Sequence, residues 1–195
     1  MSKVKILAEG YALRKQSKAS STVTLICDKN LKILVDPGID RVVLEESLRE
    51  NNISKQAINF IIVTHNHIDH CALMGIFPNA KIVDNDEIST LDGQFKKHDG
   101  SVPKTTVKII PTPGHSNPHC SVLVEDDELG RAVIAGDLFW WWDDEAQKTD
   151  IKSLLAHRDI YVKDNKQLLE SRKRILDIAD YIIPGHGKMF KVIRN

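Results

Sequence analysis

Runs of apolar residues broken by polar turns divide the chain into strand-length and helix-length segments. Residues 1–9 read as a first strand, and residues 22–27 and 32–35 as two more joined by a turn at Asp28, Lys29 and Asn30. Asp36-Pro37-Gly38 then breaks the chain. Val42, Val43, Leu44 and Leu48, set among charged neighbours, predict a short helix over residues 41–50 with Asp40 placed to cap it. Phe60, Ile61, Ile62 and Val63 are apolar without interruption, which fits a strand covered on both faces. A helix is expected to open near Asp69 and a short strand to follow at residues 81–83, whereas residues 84–103 are polar and show no clear period. Strands resume at residues 106–110, 121–125 and 132–135. Leu168, Leu169, Ile175, Leu176 and Ile178 mark an amphipathic helix over residues 164–179, and residues 181–183 a last strand. With no repeat, low-complexity tract or linker, the pattern is that of one α/β domain spanning residues 1–195.

Residues able to hold a metal ion sit at the ends of these strands. Asp36, His65, His115, Asp137 and His186 each follow an apolar run by a few positions, and loops at one edge of a sheet are where binding groups converge. The densest cluster is His65-Asn66-His67-Ile68-Asp69-His70. In an extended segment His65 and His67 share a face, and a tight turn after them would aim Asp69 and His70 elsewhere, offering a second ion different ligands. Divalent metals take neutral imidazoles and ionised carboxylates held on a fixed scaffold. His115 in Thr112-Pro113-Gly114-His115, Asp137 in Ala135-Gly136-Asp137 and His186 in Pro184-Gly185-His186-Gly187 complete the set, with glycines that permit sharp bends beside each.

Composition adds exclusions. The 27 basic and 27 acidic residues balance, so there is no overall electrostatic footprint for DNA or for non-specific nucleic-acid binding. No run of about 18 apolar residues marks a membrane span, and the N-terminal strand lacks the apolar core and cleavage site of a signal peptide. Cys27, Cys71 and Cys120 are odd in number and widely spaced, which fits reduced thiols in a cytoplasmic protein. All three tryptophans fall in Phe139-Trp140-Trp141-Trp142-Asp143-Asp144-Glu145. Continuous aromatics fit poorly with an alternating strand, so this segment is expected to divide between core filling and a substrate wall. His119 reads as a solvated loop histidine, with a general acid or substrate contact as the alternative; His98 and His157 carry no distinguishing context.

His65-x-His67-x-Asp69-His70, His115, Asp137 and His186, in that order and with Asp36 in a Val-Asp-Pro-Gly turn, resemble the metallo-β-lactamase superfamily signature. The resemblance implies a four-layer αββα sandwich, one metal held by His65, His67 and His115, and a second held by Asp69, His70 and His186. It further implies that Asp137 bridges the metals and that Asp36 supports a ligand imidazole. Gly136-Asp137-Leu138-Phe139, His70-x₃-Met74-Gly75-Ile76-Phe77 and the segment from Glu170 to Leu176 resemble the metallo-β-lactamase domain-containing protein 1 subgroup. That subgroup is regarded as di-zinc hydrolases, with an endoribonuclease role assigned to an animal member. The implied reaction is attack by a metal-bridging hydroxide, oriented by Asp69, on an ester, thioester, lactone or phosphodiester. Two divalent ions are expected, zinc foremost, with iron or manganese open to the same ligands. The expected partners are a small-molecule or RNA substrate and a second copy of the chain in a homodimer, with no membrane or DNA. A mononuclear-iron persulfide dioxygenase-like enzyme and a non-catalytic metal-binding module are the competing readings.

Overall fold

Residues 2–194 are described in a computed structural model of the chain. The first strands are β1 (Ser2–Ala8), β2 (Tyr11–Leu13), β3 (Lys18–Ser20), β4 (Val23–Asp28) and β5 (Leu31–Val35), followed by helix α1 (Arg41–Glu50). Strand β6 (Phe60–Ile62), helix α2 (Ile68–Cys71) and strands β7 (Lys81–Val83), β8 (Glu87–Ser89) and β9 (Phe95–Lys97) come next. The remainder comprises β10 (Lys108–Pro111), β11 (Cys120–Asp126), β12 (Gly130–Trp140), α3 (Ile151–Ala156), α4 (Asn165–Ile178), β13 (Tyr181–His186) and β14 (Phe190–Lys191).

Hydrogen bonds link the strands in the order β14-β13-β12-β11-β1-β4-β5-β6-β7-β8-β9, with β10 beside β11 and β2–β3 forming a separate hairpin. Strands β1 and β11 meet at a single residue pair, Ser2 with Asp126, and there the path divides into two facing halves. Side-chain parity sorts the core accordingly. Ile26, Ile33 and Ile62 from one half pack with Val122, Val124 and Ile134 from the other. Leu25, Leu34 and Ile61 point the opposite way, onto Leu44 and Leu48 of α1, while Val133 and Ala135 meet Leu154 of α3 and Leu168, Ile175 and Leu176 of α4. The layers therefore run helix, sheet, sheet, helix: a four-layer α/β sandwich. The unbroken apolar run of β6 is explained by its position, with one face in the central core and the other under α1.

Both longer helices begin as their sequences direct. The Asp40 carboxylate accepts from Val43 N, and that of Asp164 accepts from Lys166 N and Gln167 N. Each fully buried leucine or isoleucine on their inner faces contributes about 1.5–3 kcal/mol. Three features depart from the sequence pattern. Residues 84–103 contain two short strands, the β2–β3 hairpin and α3 arise where no element is expected, and β12 runs on through Asp137 to Trp140. Asp137 thus lies inside a strand rather than in a loop beyond one. A bulge makes this workable: the register with β13 shifts on both sides of Gly136, whose φ of +53° an L side chain rarely adopts.

Candidate metal centre

Strand β6 delivers the chain to the site edge, where Thr64 and His65 leave it and His67 opens the single turn of α2 that carries Asp69 and His70. His115 comes from the loop between β10 and β11, Asp137 from the β12 bulge and His186 from the end of β13. Ligand atoms of His65, His67, His115 and Asp137 lie within 4.8 Å of one another, as do those of Asp69, His70 and His186. The carboxylate of Asp137 stands between the two groups. Its Oδ2 is 3.4 Å from His115 Nε2 and 3.7 Å from His65 Nε2. Its Oδ1 is 3.2 Å from His70 Nε2 and 3.5 Å from His186 Nε2. Asp69 Oδ2 is 3.2 Å from His186 Nε2, and His67 Nδ1 is 3.1 Å from His115 Nε2. The seven residues singled out in the sequence are all brought to one place.

Room for Asp137 depends on glycine. A Cβ on Gly185 of the neighbouring strand would stand 2.0 Å from Asp137 Oδ1, so any side chain there would collide with the carboxylate. Outer nitrogens of the imidazoles are held from behind. His70 Nδ1 is 2.8 Å from Asp36 Oδ2, and His186 Nδ1 is 3.0 Å from Tyr11 O and 3.1 Å from Ser20 O. Thr64 Oγ1 donates to Asp36 Oδ2 at 2.7 Å and stands 3.1 Å from His65 Nδ1. His115 Nδ1 is 2.6 Å from Asp159 Oδ2.

Three of the inward-facing atoms have no such partners. His65 Nε2, His70 Nε2 and Asp137 Oδ1 are buried without a hydrogen bond, although His70 and Asp137 are in close contact. Leaving a buried polar atom unsatisfied costs about 1–3 kcal/mol, and a divalent cation would satisfy several of them at once. Imidazole nitrogens and carboxylate oxygens are the donors that Zn²⁺, Fe²⁺ and Mn²⁺ accept. The residues present therefore fit divalent metal ions.

Protonation reflects this crowding. Burial pushes the His65 imidazole well below its usual range, aided by the charge of His70, and burial likewise lowers His67. Burial also acts against charge on His70, but the carboxylates of Asp137 and Asp36 outweigh it and hold His70 well above the ordinary histidine value. For Asp137 burial works upward, and the adjacent His70 and His186 overcome it, holding the carboxyl well below its usual range.

The centre opens into a cleft of about 550 Å³, lined among others by Trp140, Trp142, Tyr161, Ile39 and Ile68. Arg14 and Lys18 of the β2–β3 hairpin also line it, and each already has a carboxylate partner, Asp144 at 3.6 Å and Asp40 at 3.3 Å. The aromatic segment does alternate after all. Phe139 and Trp141 enter the core under α3 and α4, whereas Trp140 and Trp142 face the cleft. His119 corrects its sequence reading: it is 1 % exposed rather than solvated, because the pairing of Thr112 N with His119 O folds it inward. Its Nδ1 is 2.9 Å from Thr112 Oγ1, and burial drives its pKa down to about 3. His157 is half-buried against Trp141, and His98 braces the loop after β9 through Asp84 O and Gly100 N. Thr64, Asp159 and Tyr161 were not marked by any sequence signal.

A helix–sheet–sheet–helix sandwich with a buried His/Asp cluster at one edge defines a class of metal-dependent α/β hydrolase scaffolds. Residues 18–106 match the metallo-β-lactamase superfamily. The chain is 32% identical to metallo-β-lactamase domain-containing protein 1 of Xenopus laevis over 98% of this chain and 82% of that protein. The Mus musculus protein of the same name is also 32% identical, over 84% of this chain, but the chain spans only 62% of its length. A solved structure of a Thermotoga maritima protein has the same fold, with a TM-score of 0.71 at 22% identity over 97% of this chain and 99% of that one. The chain belongs to the metallo-β-lactamase superfamily. Among the described residues, no helix is long and apolar enough to cross a membrane.

Proposed function

We propose that the chain is a metal-dependent hydrolase that holds two divalent cations, zinc foremost, and cleaves a carbonyl ester, thioester or lactone. The observation that carries this reading is a set of unpartnered buried donor atoms, His65 Nε2, His70 Nε2 and Asp137 Oδ1, directly behind an open cleft that His67, Asp69, Asp137 and His186 line. His65, His67 and His115 would hold one cation and Asp69, His70 and His186 the other, with one oxygen of Asp137 turned toward each group. Such cations, when bound, would lower the pKa of a coordinated water toward neutrality and polarise the bond to be cleaved.

The chain's own residues supply the rest. Asp69 is the most open carboxylate of the cluster, its side chain 20% exposed against 7% for Asp137, and it lines the cleft. On this reading it would orient the attacking water and accept its proton. Ile39, Ile68, Trp142 and Tyr161 give the cleft an apolar character suited to the body of an acyl substrate. An RNA substrate is the weaker reading, because the two cations lining the cleft are already paired with Asp144 and Asp40.

Elemental analysis of protein purified without chelators, joined to a panel of esters, thioesters, lactones, phosphodiesters and single-stranded RNA, tests the proposal. Two zinc ions per chain and turnover of carbonyl esters are expected, with His67→Ala and Asp137→Ala losing both metal and turnover. A single redox-active iron without hydrolysis, undiminished activity in the metal-free variants, or cleavage of RNA alone would each overturn it.

A further inference from the structure

Four of the imidazoles at the centre are held from behind, and one of the holders is a carboxylate outside the superfamily motif. Asp159, in the loop between α3 and α4, has no exposed side-chain surface, and its Oδ2 stands 2.6 Å from His115 Nδ1. Its other oxygen, Oδ1, accepts from Tyr161 N at 2.9 Å. The loop that carries it is itself pinned. Arg172 of α4, 2% exposed, donates from Nη1 to His157 O at 2.6 Å and from Nε to Leu138 O at 2.9 Å. One guanidinium therefore joins the Asp159 loop to the strand residue that follows Asp137. At the other end, Lys163 N and Asp164 N both donate to Gly114 O, the carbonyl just before His115.

We propose that Asp159 is a positioning residue for His115, fixing its ring and placing the proton on Nδ1 so that Nε2 is presented to the cation of the His65–His67–His115 group. This rests on the two-cation reading above and deepens it. An imidazole that donates its outer N–H to a carboxylate is oriented, set in one tautomer and made a better ligand, and loss of such a partner typically weakens metal binding by about 10–100-fold. Asp36 gives His70 the same support in the other group, and through the Thr64 hydroxyl it also reaches His65. Asp159 touches only His115 among the ligands, so its influence belongs to one of the two cations.

The test compares wild type with Asp159→Asn, in which the carboxamide keeps the shape and loses the charge. Zn²⁺ affinities are measured by competition with a chromophoric chelator, and ¹¹³Cd²⁺-loaded protein is examined by NMR. Two ions and two cadmium resonances are expected in the wild type. In the variant, one ion should bind about 10–100-fold more weakly and one resonance should move while the other stays. A readout that needs no variant is the Nδ1 proton of His115 in loaded wild type, expected as a low-field signal slow to exchange. Wild-type affinity for both ions in the variant, equal weakening of both ions in a variant whose metal-free form melts like the wild type, or the absence of that proton would each overturn the inference. A wild-type chain that binds no cation pair would instead overturn the reading of the centre on which it rests.

Discussion

Thr64 has a wider role than its size suggests. Its hydroxyl donates to Asp36 Oδ2 and lies beside His65 Nδ1, while its backbone N donates to Asp36 Oδ1 at 2.8 Å, so one threonine and one aspartate tie the strand end to both ligand groups. Space around it is tight, because a Cβ on Gly136 would sit 2.6 Å from Thr64 Oγ1. Thr64→Val conserves the shape and removes the hydroxyl, leaving His65 Nδ1 and one lone pair of Asp36 without their partner in a dry site. Metal-free protein carrying this change should lose about 1–3 kcal/mol in urea unfolding, and Thr64→Ser should recover most of the loss. Equal stability of the valine variant and wild type would show that the hydroxyl carries no weight.

Among the elements, α4 links packing to the site. Leu168, Ile175 and Leu176 seal the outer core, while Arg172 on the same buried face reaches two carbonyl oxygens in different segments. Burial lowers the Arg172 guanidinium to about 10, still far above neutrality, so it acts there as a cation. Arg172→Lys keeps the charge but lacks the fork that spans Leu138 O and His157 O. It should cost about 1.5–3 kcal/mol in denaturant unfolding, the range for a lost hydrogen bond to a charged group. Elements such as β5, β6, α1 and α4 were legible in the sequence because their apolar spacing alone marks them. The β2–β3 hairpin was not, since its strands are three residues long and its anchoring comes from contacts such as Asp143 N to Ala12 O and Tyr11 Oη to Asp40 Oδ2 that the local pattern does not encode. A similar division holds at the site. The seven candidate ligands carry their chemistry in their identity and motif, whereas Asp159 and Thr64 gain theirs from pairings across 44 and 28 positions that only folding creates.

For the whole molecule, the buried imidazoles make stability depend on pH in a definite sense. In the metal-free chain His119 is held neutral by burial down to a pKa of about 3, against 6.5 for a free imidazole. Between those values the unfolded chain binds the proton and the folded chain does not, so the contribution of His119 is complete above pH 6.5 and is lost as the pH falls toward 3. His65, His67 and His157, also lowered by burial, act in the same direction. His70 acts oppositely: its folded pKa is raised, so its contribution is complete below 6.5 and is lost as the pH rises through the folded value. Asp137 and Asp159, held low by the histidines around them, add a further loss once the pH drops below 3.8. The metal-free protein should therefore be most stable near pH 6.5 and weaken on both sides. On the acid side the slope should reach about 1.4 kcal/mol per pH unit for each buried neutral imidazole. Urea unfolding of chelator-treated protein at pH values from about 5 to 8 measures this curve. His119→Phe, which removes one titrating ring and leaves the seven candidate ligands in place, should make the acid limb shallower by one imidazole's share. An acid limb identical to that of the wild type would mean that His119 does not stay neutral in the fold, and that the centre is wetter than its geometry indicates.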